Sequence, residues 1–185
     1  RSSSVMLEIV SSLLDINRIE SGKLEVTLAP LKVHDVIEYS YVTFANEASK
    51  KLITISIIQE EPSLCVYADE FLLKQVLDNL ISNAVKYSPK NTTVTISAKS
   101  TENRKALITI TDQGQGFTSD DMTKIYGKFQ RLSAQPTAGE HSTGLGLSIV
   151  KKLVELMNGK IWCESEGRGK GSSFTIELGL ASLQE

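Results

Sequence analysis

The chain has 185 residues, 41% of them apolar and 23% charged, with 12 glycines and four prolines. That composition excludes collagen-like, mucin-like and wholly disordered chains, and the length suits one sizeable α/β domain, or one domain plus a short attached element. Twenty basic against 22 acidic residues, a formal net charge of −2, show no basic excess, so nucleic acid is not an expected partner.

Residues 3–21 read as a helix, because Met6, Ile9, Leu13 and Ile16 recur at helical spacing and Val10 and Leu14 widen the stripe. A stripe that wide suits a helix packed against more than one neighbour, and Gly22 is its expected stop. From Lys23 the pattern alternates, with Leu24, Val26 and Leu28 on one side of a strand that Pro30 ends. A second helix is expected over 32–50, then short strands at 53–58 and 64–67, split by a turn at Glu60-Glu61-Pro62. A strongly periodic helix follows over 70–87, capped by Asp69. Strands at 92–99 and 106–111 are joined by the polar turn 101–104. Residues 113–143 are glycine-rich or polar, with one short helix near 119–126. A helix over 145–158 stops at Gly159, and strands at 160–165 and 172–178 flank the hairpin Gly167-Arg168-Gly169-Lys170-Gly171. The tail from 180 carries no pattern.

Cys65 and Cys163 lie far apart, in no zinc-like spacing and no disulfide framework, and read as two core thiols in a reducing compartment. No apolar run reaches the roughly 18 residues that a membrane span needs, so a cytoplasmic setting is expected. The chain opens on Arg1, which suggests an excerpt of something longer.

Three segments carry chemistry. On the helix over 70–87, Asn79, Asn83 and Lys86 stand at i, i+4 and i+7, so two amides and an ammonium share one line. Amide oxygens are hard ligands suited to Mg²⁺, and an ammonium suits a phosphate oxygen. Second, the strand over 106–111 runs into Asp112-Gln113-Gly114-Gln115-Gly116-Phe117. A carboxylate at a strand end beside spaced glycines makes a fixed acceptor, able to take an exocyclic amine such as adenine's. Neither a dinucleotide fingerprint nor a Walker loop is present. Third, Thr143-Gly144-Leu145-Gly146-Leu147 opens a helix, where free backbone N–H groups and the helix dipole favour an anion. Between the last two, Ser133–His141 has little apolar content and reads as a mobile lid, preceded by Lys128 and Arg131, whose charge a lid could bring onto a phosphate.

Together these segments resemble the ATP-binding domain of sensor histidine kinases, in the gyrase/Hsp90/histidine kinase/MutL superfamily. The N box resembles Asn79–Pro89, the first glycine box Asp112–Gly116, the F box Tyr126–Arg131 and the second glycine box Gly144–Leu147, with Gly169–Phe174 similar to the closing motif. The resemblance implies an α/β fold, a two-layer sandwich of a mixed sheet and three main helices (a Bergerat-type ATP-binding fold). One helix of a dimerisation hairpin would precede it. The implied division is 1–22 for that helix, 23–180 for the catalytic domain and 181–185 for the tail.

The resemblance also implies roles for residues. Asn83 would ligate Mg²⁺, with Asn79 assisting or touching phosphate. Lys86 and Lys128 would meet phosphates, and Arg131 would stabilise charge on the transferring γ-phosphoryl. Asp112 would accept the adenine amine in a pocket shaped by Gly114 and Gly116 and lined by Tyr87 and Phe117, and Thr143, Gly144, Leu145, Gly146 and Leu147 would shape the phosphate end. ATPase branches of the superfamily place a glutamate where Asn79 stands, and an amide takes no proton from water, so strong hydrolysis is not expected. The implied partners are ATP, a second copy through the hairpin, an upstream sensor domain and a response-regulator receiver domain. Residues 3–21 contain no histidine, and neither His34 nor His141 has an acceptor's context, so the phosphorylated histidine is expected upstream. A nucleotide-sensing scaffold without kinase output stays open as the second reading.

Overall fold

The computed structural model describes residues 2–59, 61–130, 132–137 and 143–182. Helix α1 spans Ser2–Glu20. Ile16 and Ile19, in its last turns, pack against the domain core, whereas Met6, Val10, Leu13 and Leu14 lie exposed. Among the described side chains, the stripe that predicts neighbours on several sides is therefore covered at its C-terminal end.

Residues 23–28 form no strand, contrary to the alternation in the sequence. The strand is β1, Ala29–Lys32, paired antiparallel with β3, Cys65–Ala68. Pro30 sits inside β1, opposite Tyr67, which an edge strand tolerates because a missing N–H there leaves no central ladder broken. Leu24 and Val26 still pack partly against the core, so their period reports burial rather than pairing. Leu180 bridges to Val66, and the Ala181 N–H donates to the Cys65 carbonyl at 2.9 Å, so the pattern-free tail begins as part of this small sheet.

The main sheet has five strands: β2 (Thr54–Gln59), β4 (Thr93–Ser100), β5 (Lys105–Asp112), β7 (Ser172–Gly179) and β6 (Lys160–Glu164), in the order β2-β4-β5-β7-β6. It is mixed, since β2 runs parallel to β4 and the other neighbours are antiparallel. Alternate residues such as Val94, Ile96, Ala106, Ile108, Ile110, Phe174 and Ile176 are buried against the helices. The other face carries hydroxyls, with Thr109 bonded to Thr175 and Thr111 to Ser173 across the β5–β7 ladder.

Helix α2 is Val33–Lys50, α3 is Glu70–Tyr87, and α5 is Gly146–Leu156. With the sheet they make the two-layer α/β sandwich expected. The Asp69 side chain caps α3 by accepting from the Leu72 N–H at 3.1 Å, and it also accepts from the Thr27 N–H at 2.9 Å. The cap thus ties the segment before β1 to the start of α3. The buried stripe of α3, Leu72 through Val85, fixes the helix's rotation, and so fixes which side chains remain for the cleft beside it. The short helix α4, Ser119–Lys124, opens with a capping box in which Thr118 and Asp121 satisfy each other's backbone N–H groups.

Candidate functional site

The cleft lies between α3, the β5–α4 loop, the start of α5 and residues 132–137, and encloses about 340 Å³. Of the residues singled out by sequence, Asn79, Asn83, Lys86, Tyr87, Asp112, Gly116, Phe117, Thr143, Gly144, Gly146 and Leu147 all line it. Burial of the apolar stripe rotates α3 so that its two amides and its ammonium stand along one wall.

The Asn79 Nδ2 donates to the Gln75 carbonyl one turn back, at 2.9 Å, which leaves its Oδ1 as the acceptor. That oxygen lies 3.0 Å from where a Cβ on Gly146 would stand, so the first turn of α5 comes close to the amide line only because residue 146 is glycine. Gly144 has φ +70°, and a Cβ there would press on the Gln130 carbonyl at 2.9 Å. The loop before α5 therefore folds tightly against residues 129–130, and the first turn of α5, whose backbone N–H groups lack intrahelical partners, lies against Asn79 of α3.

Asp112, a residue only 8% exposed, also lines the cleft. Its Oδ1 accepts from the Gly114 N–H at 2.7 Å, and its Oδ2 accepts from the Ser172 hydroxyl. Burial pushes the Asp112 carboxyl above the ordinary 3.8, although the bonds from Ser172 and Gly114 pull the other way. A buried acceptor held by two donors is a fixed hydrogen-bonding point in a dry wall. The turn after it is interlocked with the β6–β7 hairpin: Gly169 donates to the Gln115 carbonyl at 2.7 Å and Gly171 to the Gly114 carbonyl at 3.1 Å.

The remaining expected residues fall elsewhere. Gly114 packs between Asp112 and the Tyr87 carbonyl, supporting the site from behind. Leu145 is fully buried in the core at the head of α5. Lys128 is turned away from the cleft, its ammonium paired with Glu20 of α1. Arg131 lies outside the described residues, as do His141 and Ser142. His34 is half-buried, its Nδ1 2.7 Å from Gln59 Oε1. Cys163 is buried and its thiol is pushed up to about 12, chiefly by desolvation, so it is an inert core thiol, as expected of both cysteines.

Several cleft residues escaped the sequence reading. Ser172 was visible as part of a glycine-rich hairpin, but its bond to Asp112 spans 60 positions. Gln115 stands in the Asp112–Gly116 turn, and Gln135 and Pro136 in the stretch read as a lid, with no separate signal for the cleft. No group of His, Cys, Asp and Glu among the described residues could hold a metal ion. The donors that fit one are the amide oxygens of Asn83 and Asn79, the latter freed by the bond its nitrogen makes to Gln75. So sparse a set suits a divalent ion that arrives on phosphate oxygens. Among the described residues, no helix is long and apolar enough to cross a membrane.

Comparison with known proteins bears on this geometry. Residues 68–182 match the family described as histidine kinase-, DNA gyrase B-, and HSP90-like ATPase. The sensor protein GacS of Pseudomonas syringae pv. syringae is 31% identical over all of this chain, which spans 21% of that relative. The crystal structure of full-length ShkA in complex with AMPPNP superposes with a TM-score of 0.84 at 28% identity, covering 100% of this chain and 38% of the other. A nucleotide-free catalytic domain of the histidine kinase ThkA gives a TM-score of 0.72 at 28% identity, over 83% of this chain and 95% of that one. The chain thus spans about a fifth of the length of its curated relatives.

Proposed function

The chain belongs to the histidine kinase-, DNA gyrase B-, and HSP90-like ATPase family, and from that premise we propose that it is the ATP-binding catalytic part of a two-component sensor histidine kinase. It binds Mg·ATP and passes the γ-phosphoryl to a histidine upstream in the whole protein, from which the phosphoryl is relayed to a response-regulator aspartate. The observation that carries this reading is that one cleft is lined by an amide–ammonium line on α3, a glycine helix start and a buried carboxylate held by Gly114 and Ser172. A triphosphate needs the first two of these, and an adenine amine needs the third.

In this reading Asp112 accepts the adenine amine, and Tyr87 and Phe117 flank the base. Lys86 and the N–H groups at Gly144–Leu147 hold phosphate oxygens. Asn83, assisted by Asn79, holds Mg²⁺, which when bound neutralises phosphate charge. Lys128 would reach the phosphates only on leaving Glu20, and Arg131 supports the transferring group. Asn79 offers no base for water, so the chain positions the γ-phosphoryl without spending it on hydrolysis. Residues 1–22 act as the second helix of a dimerisation hairpin, a role supported by the exposed Met6, Val10, Leu13 and Leu14 on a helix whose last turns dock on the core. Residues 23–180 are the catalytic domain and 181–185 its tail. A sensor domain and a second copy complete the assembly.

Incubation with γ-labelled ATP tests the proposal. The chain alone should bind ATP, hydrolyse it very slowly and stay unlabelled, because no histidine stands in an acceptor's place. Adding the helical hairpin of its own parent protein should give weak labelling that is acid-labile and base-stable, weak because the tether's effective concentration is lost. Acid-labile phosphate on His34 or His141 would overturn the upstream acceptor. An unlabelled hairpin at saturating ATP would favour the nucleotide-sensing scaffold instead.

A second expectation concerns pH. Burial favours the neutral form of Asp112, so acidification should remove the amine acceptor at a higher pH than for an exposed aspartate, above the ordinary 3.8. Affinity for ADP should fall with that midpoint, and Asp112→Asn should flatten the curve and weaken ADP at neutral pH. Wild type should also prefer ADP to GDP, whose six-position carbonyl offers an acceptor to an acceptor. A variant as selective and as pH-sensitive as wild type would sink the assignment of Asp112.

A further inference from the structure

Of the stretch read as a mobile lid, Ser133–Thr137 are described and are bonded to the body of the domain, and residues 138–141 lie outside the described residues. Over residues 132–137 alternate residues do different things, as in an extended chain. Leu132, Ala134 and Pro136 line the cleft, and Gln135 both lines it and is tied back. Ser133, Gln135 and Thr137 are tied back to the body of the domain, each to a different element.

The Ser133 N–H donates to Asp121 Oδ1 at 2.8 Å, and its hydroxyl donates to Oδ2 of the same carboxylate. Gln135 and Gln115 form a reciprocal amide pair: the Gln135 N–H donates to Gln115 Oε1 at 3.0 Å, and Gln115 Nε2 donates to the Gln135 carbonyl at 2.7 Å. A side-chain amide here copies one rung of a β-ladder. The Thr137 N–H donates to the Lys86 carbonyl at 3.1 Å, and its hydroxyl is within bonding reach of the Lys86 and Ser88 carbonyls at 3.1 and 2.9 Å. Lys51, just beyond the end of α2, donates to that hydroxyl at 2.8 Å and to the Val85 and Lys86 carbonyls at 2.8 and 3.0 Å. The last carbonyls of a helix lack intrahelical partners and carry its negative end, so an ammonium placed there is well satisfied. Lys51 thereby joins the end of the amide-bearing helix to the residue that closes this segment.

We infer that residues 132–137 are a pre-formed strap walling the base end of the nucleotide cleft, with Gln115 and the Lys51–Thr137 junction as its positioning residues. The inference rests on the nucleotide reading above for its purpose, but not for its geometry, since every bond in the strap is made within the protein. A wall ordered in advance spares the nucleotide the cost of ordering it. Gln115 is needed as an amide, because leucine supplies neither the donor nor the acceptor. Thr137 is needed for its hydroxyl, which serine keeps and valine loses.

Two measurements test the strap on the whole chain. Hydrogen exchange without nucleotide should find the Gln135 and Thr137 amides protected in wild type. Gln115→Leu should expose the Gln135 amide. Thr137→Val and Lys51→Met should speed exchange at Thr137, and Thr137→Ser should restore protection. Titration with adenosine, ADP and Mg·ATP should show Gln115→Leu binding all three about fivefold more weakly, the cost of one lost polar pair. The ratio of ATP to ADP affinity should stay at its wild-type value, because Gln115 belongs to the turn that follows Asp112, the base end in that reading. Unprotected Gln135 and Thr137 amides in wild type would overturn the strap, and wild-type adenosine affinity in Gln115→Leu would overturn its role as a wall. Failure of wild type to bind adenosine at all would remove the nucleotide reading and the wall with it, while the exchange result would still decide whether the strap exists.

Discussion

Asn83→Ala should bind Mg·ATP at least about tenfold more weakly than wild type, a loss of about 1.4 kcal/mol or more. Asn83 lies on the cleft wall of α3, one turn after Asn79 and next to the buried Ala84 and Val85. Alanine is the best helix former, so the substitution leaves the helix intact and removes only the amide. Among the described residues no cluster of three His, Cys, Asp or Glu side chains stands ready as an alternative metal site. The loss should therefore appear only with the metal. In calorimetry with Mg²⁺ chelated, wild type and variant should bind ATP alike, and the gap should open as Mg²⁺ is added. Equal affinities in saturating Mg²⁺ would show that Asn83 is not the ligand.

Gly171→Ala should lose about 3 kcal/mol of stability, and the melting temperature should drop by about 6–12 °C for a chain of this size. Gly171 has φ +70°, and its added Cβ would stand 2.1 Å from the Asp112 carbonyl oxygen and 3.0 Å from its carbon. Both obstacles are backbone, so no side-chain rotation relieves them. The nearby Gly169 makes the control. It has φ +75° but nothing within 4 Å of an added Cβ, so Gly169→Ala should cost only the left-handed conformation, about 1–2 kcal/mol. Because the displaced backbone belongs to Asp112, Gly171→Ala should also weaken ADP binding in whatever fraction folds, and Gly169→Ala should not. Equal losses of stability in the two variants would mean that the close approach at Gly171 is unimportant.

The elements themselves were legible because their signals are local. Helix α3 announced its length, its Asp69 cap and its buried stripe within a single window of sequence, and that stripe dictated where Asn79, Asn83 and Lys86 would stand. Strands β4 and β5 were likewise found almost to the residue, since their alternation matches a sheet with one covered face. The alternation over 24–28 misled for the same reason: burial of Leu24 and Val26 produces a period of two whether or not a partner strand is present.

The sequence by itself thus determined the fold class, the family resemblance and most of the cleft wall. Each of those is written in spacing along a helix or in a short run at the end of a strand, and such spacing survives without knowledge of what lies opposite. Only the tertiary structure decided what depends on residues far apart meeting. It set Ser172 against Asp112, paired Gln115 with Gln135 and Lys51 with Thr137, and drew Lys128 to Glu20 across 108 positions instead of into the cleft. A glutamine, a threonine or a lysine carries no periodic mark of its partner. Its partner is chosen by where the packed apolar faces leave the backbone, and hydrogen bonds then satisfy the polar groups that packing has brought together.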